Sequence, residues 1–198
     1  MKTIKLTAMA LLLIGTYSCK EVKKDADAAG DSMENEMENS AEMEEEMQSE
    51  TMTFNMESKS DSDVQGEVTF TQEDGEVMMT AEFSGLDEGS HAIHLHENAD
   101  CNSDDGKSAG GHWNPTDEPH GKWGAEEGYH KGDIGNFEAD ADGNATVEFS
   151  TDEWCIGCDD DMKNIVGRSV IVHMGTDDFT SQPSGDAGAR VACTGIVQ

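Results

Sequence analysis

The sequence predicts an all-β domain, an antiparallel sandwich or barrel, over residues 51–198. Short segments rich in β-branched and aromatic residues recur along this region. Turn sequences separate them, for example at residues 73–75 and 140–144. A region of about 150 residues is also long enough to enclose one apolar interior. These three observations favour a single β domain.

Eight strands are predicted within this domain. Each is a short run with β-rich composition that ends near glycine, asparagine, aspartate or serine. The predicted strands are 51–58, 67–72, 77–83, 91–96, 135–139, 145–150, 169–173 and 190–197. The long segments between the fourth and fifth strands and between the seventh and eighth are left as loops.

The N-terminal residues 1–19 read as an export signal. Lys2 and Lys5 precede an apolar stretch, residues 6–14, that is too short to span a bilayer. Residues 15–18, which are small or polar apart from Tyr17, lead to Cys19 as in a bacterial lipoprotein signal, so we expect this cysteine to be lipidated. The alternative is an ordinary secretory signal with an incidental cysteine. The favoured interpretation is an exported, membrane-anchored lipoprotein of the bacterial cell envelope, on its periplasmic or outer surface.

Residues 20–50 are predicted to be a disordered acidic tether. Between residues 25 and 50 there are eleven acidic residues and no basic or aromatic ones. Such a composition cannot bury enough apolar surface to fold alone. The segment also contains four methionines, whose soft sulfur suits Cu(I). We favour a solvated arm, with copper capture as the alternative. The methionines are Met33, Met37, Met43 and Met47.

Six of the seven histidines, with one aspartate, have the spacing of a metal centre. Imidazole is the commonest protein ligand for copper and zinc, and a nearby carboxylate suits zinc. His94 and His96 lie two apart on a predicted strand, so both side chains point to the same face. The pattern predicts a two-metal site. Its candidate ligands are His94, His96, His112, His120, His130, Asp133 and His173.

The segment 112–133 is predicted to be a long ordered loop. Its glycines, prolines and polar residues argue against regular secondary structure. Long irregular loops are uncommon unless function or a ligand orders them, and a bound metal would supply that order. His91 fits no ligand position, and we expect it to face solvent.

At these residues the chain resembles the copper/zinc superoxide dismutases, over roughly residues 50–198. The matching features include the pair His94 and His96 followed by Glu97, and ligand spacings of eight, ten and three from His112 to Asp133. The resemblance implies an eight-stranded antiparallel Greek-key barrel with long metal-binding loops. Further matching stretches are 111–115, 132–136, 167–173 and 187–193.

The resemblance also implies roles for individual residues. Arg190 would border the copper and dock an anion, and His112 would bridge the two metals and take part in catalysis. Asp177 would be the carboxylate that links His94 to His120. Ala92, where the family usually has glycine, is a departure that touches no ligand. The implied ligands are His94, His96, His112 and His173 for a copper ion, and His112, His120, His130 and Asp133 for a zinc ion.

The cysteines support export. If Cys19 is lipidated, four remain, and four cysteines allow three pairings in an oxidising compartment. The family resemblance implies a bond between Cys101 and Cys193. Cys155 and Cys158 then form a Cys-x-x-Cys pair, for which we favour a local structural disulfide over a redox pair or half of a metal site.

The implied reaction is the dismutation of superoxide to oxygen and hydrogen peroxide. A non-catalytic copper-binding or copper-delivery lipoprotein is the first alternative, and a purely structural surface lipoprotein is the second. No nucleic-acid partner is expected of a chain with a formal net charge of −31. Residues 51–198 alone carry 31 acids and 7 bases, a charge of −24. A homodimer and a monomer are both compatible with the sequence.

Overall fold

The computed structural model describes residues 49–198, and it confirms the all-β fold with eight antiparallel strands. The predicted signal peptide, and the predicted tether as far as residue 48, lie outside the described residues. Within the described part, no helix is long and apolar enough to cross a membrane. The strands are β1 Glu50–Ser58, β2 Gln65–Glu73, β3 Glu76–Ser84, β4 Gly89–His96, β5 Gly135–Ala139, β6 Ala145–Thr151, β7 Ser169–His173 and β8 Arg190–Gly195.

The strands form one sheet that nearly closes into a barrel. Their order is β5-β4-β7-β8-β1-β2-β3-β6. It differs from the chain order because β4 pairs with β5 and β7, while β6 returns to pair with β3. These long connections are the Greek-key pattern. The two terminal strands of the order, β5 and β6, approach each other without pairing.

The hairpin between β2 and β3 shows how local sequence sets the register. Asp74 and Gly75 both have positive φ, 52° and 82°, as a two-residue type I′ turn requires. Gln72 then pairs with Val77, and the alternation along β2 buries Val68 and Phe70 while the residues between them face outward. The predicted turn therefore decides which face of this hairpin enters the core.

Strand β4 connects the core to the candidate site. Ile93 and Leu95 point into the barrel and join the main apolar cluster. Because side chains alternate along a strand, His94 and His96 fall on the opposite face, outside the barrel interior. That outer face is nevertheless buried, since the loops that follow β4 and β7 cover it. The histidines are thus shielded from water by loops and supported by the core beneath.

Two disulfides are present among the described residues. Cys101 is joined to Cys193, the pairing that the resemblance implies, with Cα atoms 5.8 Å apart. This bond ties the loop after β4 to β8. Cys155 is joined to Cys158, with Cα atoms 6.0 Å apart. Disulfides of this kind are typical of extracellular or periplasmic proteins.

We expect the loss of the Cys101–Cys193 bond, by serine substitution of both residues, to cost more stability than the loss of Cys155–Cys158. The two bonds span 92 and 3 residues of sequence. In the chain-entropy model a loop of the larger size contributes on the order of 4 kcal/mol, and a very short loop much less. Urea unfolding of the metal-free full chain measures the difference. Equal losses of unfolding free energy in the two double variants would contradict this prediction.

Candidate metal centre

The structure brings the six predicted histidines and Asp133 together into two adjoining groups. In each group the candidate ligand atoms all lie within 4.8 Å of one another, and all the residues are buried. His112 belongs to both groups. The first group consists of His94, His96, His112 and His173, and the second of His112, His120, His130 and Asp133.

Backbone pairing explains how distant residues meet. His94 lies opposite Ile171, so the end of β7 places His173 beside β4. His112 makes an isolated antiparallel bridge with His96, which folds the loop back over the strand. The ring centroids of His94 and His112 are 4.0 Å apart, and those of His112 and His130 are 5.6 Å apart. The ring of His112 therefore stands between the two groups.

Each of the six histidines has one buried ring nitrogen that makes no hydrogen bond of good geometry, although Nδ1 of His120 and Nδ1 of His130 lie 3.0 and 3.2 Å from an oxygen of Asp133. A buried nitrogen left in this state costs roughly 1–3 kcal/mol, and six of them at one place need an explanation. Metal ions would provide it, because a ligating nitrogen must be free of other partners. The residues therefore fit a pair of metal ions. The unpartnered atoms are His94 Nδ1, His96 Nε2, His112 Nε2, His120 Nδ1, His130 Nδ1 and His173 Nε2.

The opposite ring nitrogens of His94, His96 and His120 are held by hydrogen bonds that fix these imidazoles. His94 and His120 each donate from Nε2 to one oxygen of Asp177, both at 2.8 Å. His96 donates from Nδ1 to the carbonyl oxygen of Gly110 at 3.0 Å. Such outer contacts select the tautomer and orient the ring of a metal ligand. Asp177 thus links the two groups, in the position that the resemblance implies.

A glycine and two amides hold Asp177 and His120 in place, and the sequence pattern assigned none of the three a role. Gly185 has φ +71°, and a Cβ at this position would collide with the Asp177 carboxylate and His120 Nε2. Asn136 accepts a hydrogen bond from the Asp177 backbone at 2.8 Å. The Gln182 amide bonds both the backbone N–H and the carbonyl of His120. These residues carry no metal-ligand chemistry, so spacing alone could not find them.

Asp133 is the acceptor at the centre of the second group. His112 donates from Nδ1 to Asp133 Oδ1 at 2.8 Å, and the backbone N–H of His130 donates to Oδ2 at 2.8 Å. Burial raises the pKa of Asp133, but the bonds from the histidines outweigh it and hold that pKa far below its usual range. The carboxylate is therefore ionised and available to a cation.

The two groups differ in their protonation. Burial lowers the pKa of His96 and His173 well below the usual value and that of His112 to about 4. Burial also lowers the pKa of His120, but the carboxylates of Asp133 and Asp177 outweigh it and raise that pKa to about 9. In the metal-free protein near neutral pH, His120 is therefore protonated, whereas His96, His112 and His173 are neutral.

A cavity of about 700 Å³ opens onto the first group. Arg190 lies on its wall, together with His96, His112 and His173. The guanidinium donates to the carbonyl oxygens of Gly106 and Gly110, both at 2.7 Å, which fix its position. Burial lowers the pKa of Arg190 from its high ordinary value. The side chain thus places a fixed positive charge on the wall of the cavity.

The expectation that His91 faces solvent is wrong. His91 lies inside β4 and is 3% exposed. Its Nδ1 lies 3.0 Å from the carbonyl oxygen of His173, and its Nε2 lies 2.8 Å from that of Asp87. Its sequence neighbours Ser90 and Ala92 gave no sign that the carbonyl oxygens of Asp87 and His173 would lie against both ring nitrogens.

A model of the copper/zinc superoxide dismutase family (SODC) matches residues 64–196. The chain therefore belongs to this family. Among solved structures it is similar to a SOD-like protein from Bacillus subtilis, crystallised as a double mutant with a tyrosine and a proline each changed to histidine. The chains are 29% identical with a TM-score of 0.66, and the match covers 74% of this chain and 97% of that one.

We expect zinc binding to the metal-free protein to release a proton. Below about pH 9 the His120 ring is protonated, and a ligating imidazole must be neutral, so zinc displaces that proton. The apparent zinc affinity should rise about tenfold per pH unit from about pH 6 and level off near pH 9. Calorimetric titration in two buffers of different ionisation enthalpy measures the proton released. An affinity independent of pH across this range would contradict the assignment of the proton to His120.

Proposed function

We propose that this protein is an enzyme that converts superoxide to oxygen and hydrogen peroxide. The observation that carries the proposal is the convergence of six buried, unpartnered imidazole nitrogens on two adjoining points. Membership of the copper/zinc superoxide dismutase family supports it. Copper would be held by His94, His96, His112 and His173, and zinc by His112, His120, His130 and Asp133.

Bound copper would supply one-electron chemistry, by which one superoxide would be oxidised to oxygen and a second would be reduced and take up two protons as hydrogen peroxide. The chain binds the anion, delivers protons and keeps the ligands in place. We assign proton delivery to His112. Its Nδ1 is fixed by Asp133, whereas its Nε2 points to the first group and has no partner in the protein.

Arg190 is the residue to which we assign the binding of superoxide. The domain carries a charge of −24 over residues 51–198, which repels an anion at long range. Attraction must therefore act at short range, and Arg190 lies on the wall of the cavity next to His96 and His173. Two carbonyl bonds hold the guanidinium before substrate arrives, so it needs no reorganisation.

A non-catalytic copper-binding protein is the second candidate. It has support because the similar structure from Bacillus subtilis is described as a SOD-like protein. A protein that only delivers copper has no need of a second ligand group or of an arginine fixed in the cavity. This chain has both, so we favour the enzyme.

We further propose that Cys19 carries a lipid and that residues 20–48 tether the domain to the membrane surface. The sequence of residues 1–19 and the acidic composition after it support this. The two disulfides of the domain agree with an extracellular or periplasmic location.

The test of the proposed function is metal content measured together with superoxide-dependent activity. We expect one copper and one zinc per chain in the loaded full-length protein. His173→Ala should chiefly lose copper and activity, because His173 belongs to the first group only. His120→Ala should chiefly lose zinc and the order of its loop. Full activity with copper bound and no zinc taken up, even when zinc is supplied, would contradict the two-metal proposal.

Replacing Arg190 with alanine should lower kcat/KM about 100-fold, the effect typical of losing one pre-organised donor. Copper content should stay at the wild-type level, since Arg190 bonds backbone carbonyls and no histidine. Lys163→Ala is the matched control, because it removes one positive charge outside the cavity. Unchanged activity in Arg190→Ala would remove this residue from the substrate site.

A further inference from the structure

The turn that carries the candidate zinc ligand His130 is held from inside by its own hydrogen bonds. The backbone N–H of Asp133 donates to the carbonyl of His130 at 3.0 Å, and the His130 N–H donates to Asp133 Oδ2 at 2.8 Å. These bonds fix the shape of the turn. Those two bonds do not set where the turn lies relative to the barrel; on its C-terminal side the backbone N–H of Leu95, in β4, donates to the carbonyl oxygen of Gly132 at 2.9 Å.

The residues on either side of His130 provide a second attachment, made by side chains. Tyr129 Oη donates to Glu153 Oε1 at 2.6 Å, and the ammonium of Lys131 pairs with Glu153 Oε2. Trp154 Nε1 donates to the carbonyl oxygen of Lys131 at 2.8 Å. We call Glu153 and Trp154 the strap. They bond to Tyr129 and Lys131, the residues on either side of His130, and make no hydrogen bond to His130 itself.

The strap itself is firmly seated in the domain. Trp154 is 1% exposed and packs against Phe70 and Phe149, with ring centroids 6.4 and 5.0 Å away. The backbone N–H of Glu153 donates to Thr151 Oγ1 at 3.0 Å, at the end of β6. The strap thus anchors the loop that carries His130 to the barrel core.

We propose that Glu153 and Trp154 are positioning residues for the zinc ligand His130, and that zinc retention depends on them although neither contacts the metal group. This inference rests on the proposed function, because it takes the second group as a zinc site. With the strap in place, the turn that carries His130 is held against the barrel before zinc binds. Zinc binding then does not have to order the turn. Without the strap, part of the binding energy is consumed in ordering the loop.

The neighbouring Cys155–Cys158 disulfide offers a matched control. Cys155 is held without it, because its N–H donates to the carbonyl of Lys163 and its carbonyl accepts from the N–H of Ile165, at 2.9 and 3.0 Å. Removing the disulfide should therefore lower the stability of this loop while leaving the three strap contacts intact. This variant therefore shows whether a loss of loop stability alone weakens zinc binding, or whether the strap contacts themselves are needed.

The experiment measures zinc and copper dissociation constants of the full chain by competition with chelators of known affinity. The variants are Glu153→Ala, Trp154→Phe, their combination, and Cys155→Ser with Cys158→Ser. Trp154→Phe keeps an aromatic ring in the core but removes Nε1. Tyr129→Phe removes a single hydroxyl from a partly exposed side chain, so it remains informative if the combined variant does not fold. Cobalt(II) bound at the zinc group reports ligand geometry through its visible absorption.

We expect the combined variant to bind zinc about 10- to 100-fold more weakly, the range typical of losing outer contacts of metal ligands. The cobalt spectrum should change, while the copper dissociation constant stays within about twofold of wild type, because the strap touches no residue of the first group. Glu153→Gln, which keeps an oxygen acceptor for Tyr129, should recover part of the zinc affinity. The disulfide variant should bind zinc like wild type and melt at a lower temperature.

Two results would overturn the inference: equal zinc affinity in wild type and the combined variant, or a disulfide variant that loses as much affinity as the strap variants. A wild-type chain that binds no zinc would be a different failure, since it would overturn the proposed function and this inference together.

Discussion

The imidazole of His112 is the side chain on which both candidate metal sites depend. Its Nδ1 is bonded to Asp133 and its Nε2 is buried without a partner among the first group, so the one ring faces two sites. Hydrogen bonds at the second ring nitrogen hold His94, His96 and His120, whereas a ring that served two metals would have no nitrogen left for such a bond. Its position must come from its neighbours. The bridge to His96 and the carboxylate link through Asp177 provide that support.

The barrel contributes rigidity more than chemistry. Along β4 the same alternation that sends Ile93 and Leu95 into the core sends His94 and His96 to the loop-covered face. The first group therefore has two of its ligands, His94 and His96, on a strand that cannot shift without disturbing the core. The second group depends on loop residues instead, and its loop needs side-chain anchors such as Gln182 and the strap.

The sequence predicted the strands well, because alternation and turn residues follow simple rules, and it selected seven candidate ligands that the structure brings into two adjoining groups. Alternation located β4, and ligand chemistry with spacing singled out His120, His130 and Asp133 before their positions were known. Gly185 and Asn136 could not be predicted, since their roles arise from contacts between loops that are distant in sequence. His91 was misjudged for the same reason. The residues next to His91 in sequence do not reveal that carbonyl oxygens from β7 and a turn will meet its ring.

The most direct test of the account is anomalous X-ray diffraction from crystals of the chain loaded with copper and zinc, recorded on both sides of each absorption edge. We expect a copper peak bounded by His94, His96, His173 and the Nε2 side of His112. A separate zinc peak should lie on the Nδ1 side, bounded by His120, His130 and Asp133. A single metal peak, or a zinc peak remote from Asp133, would contradict the claim that His112 bridges two metals.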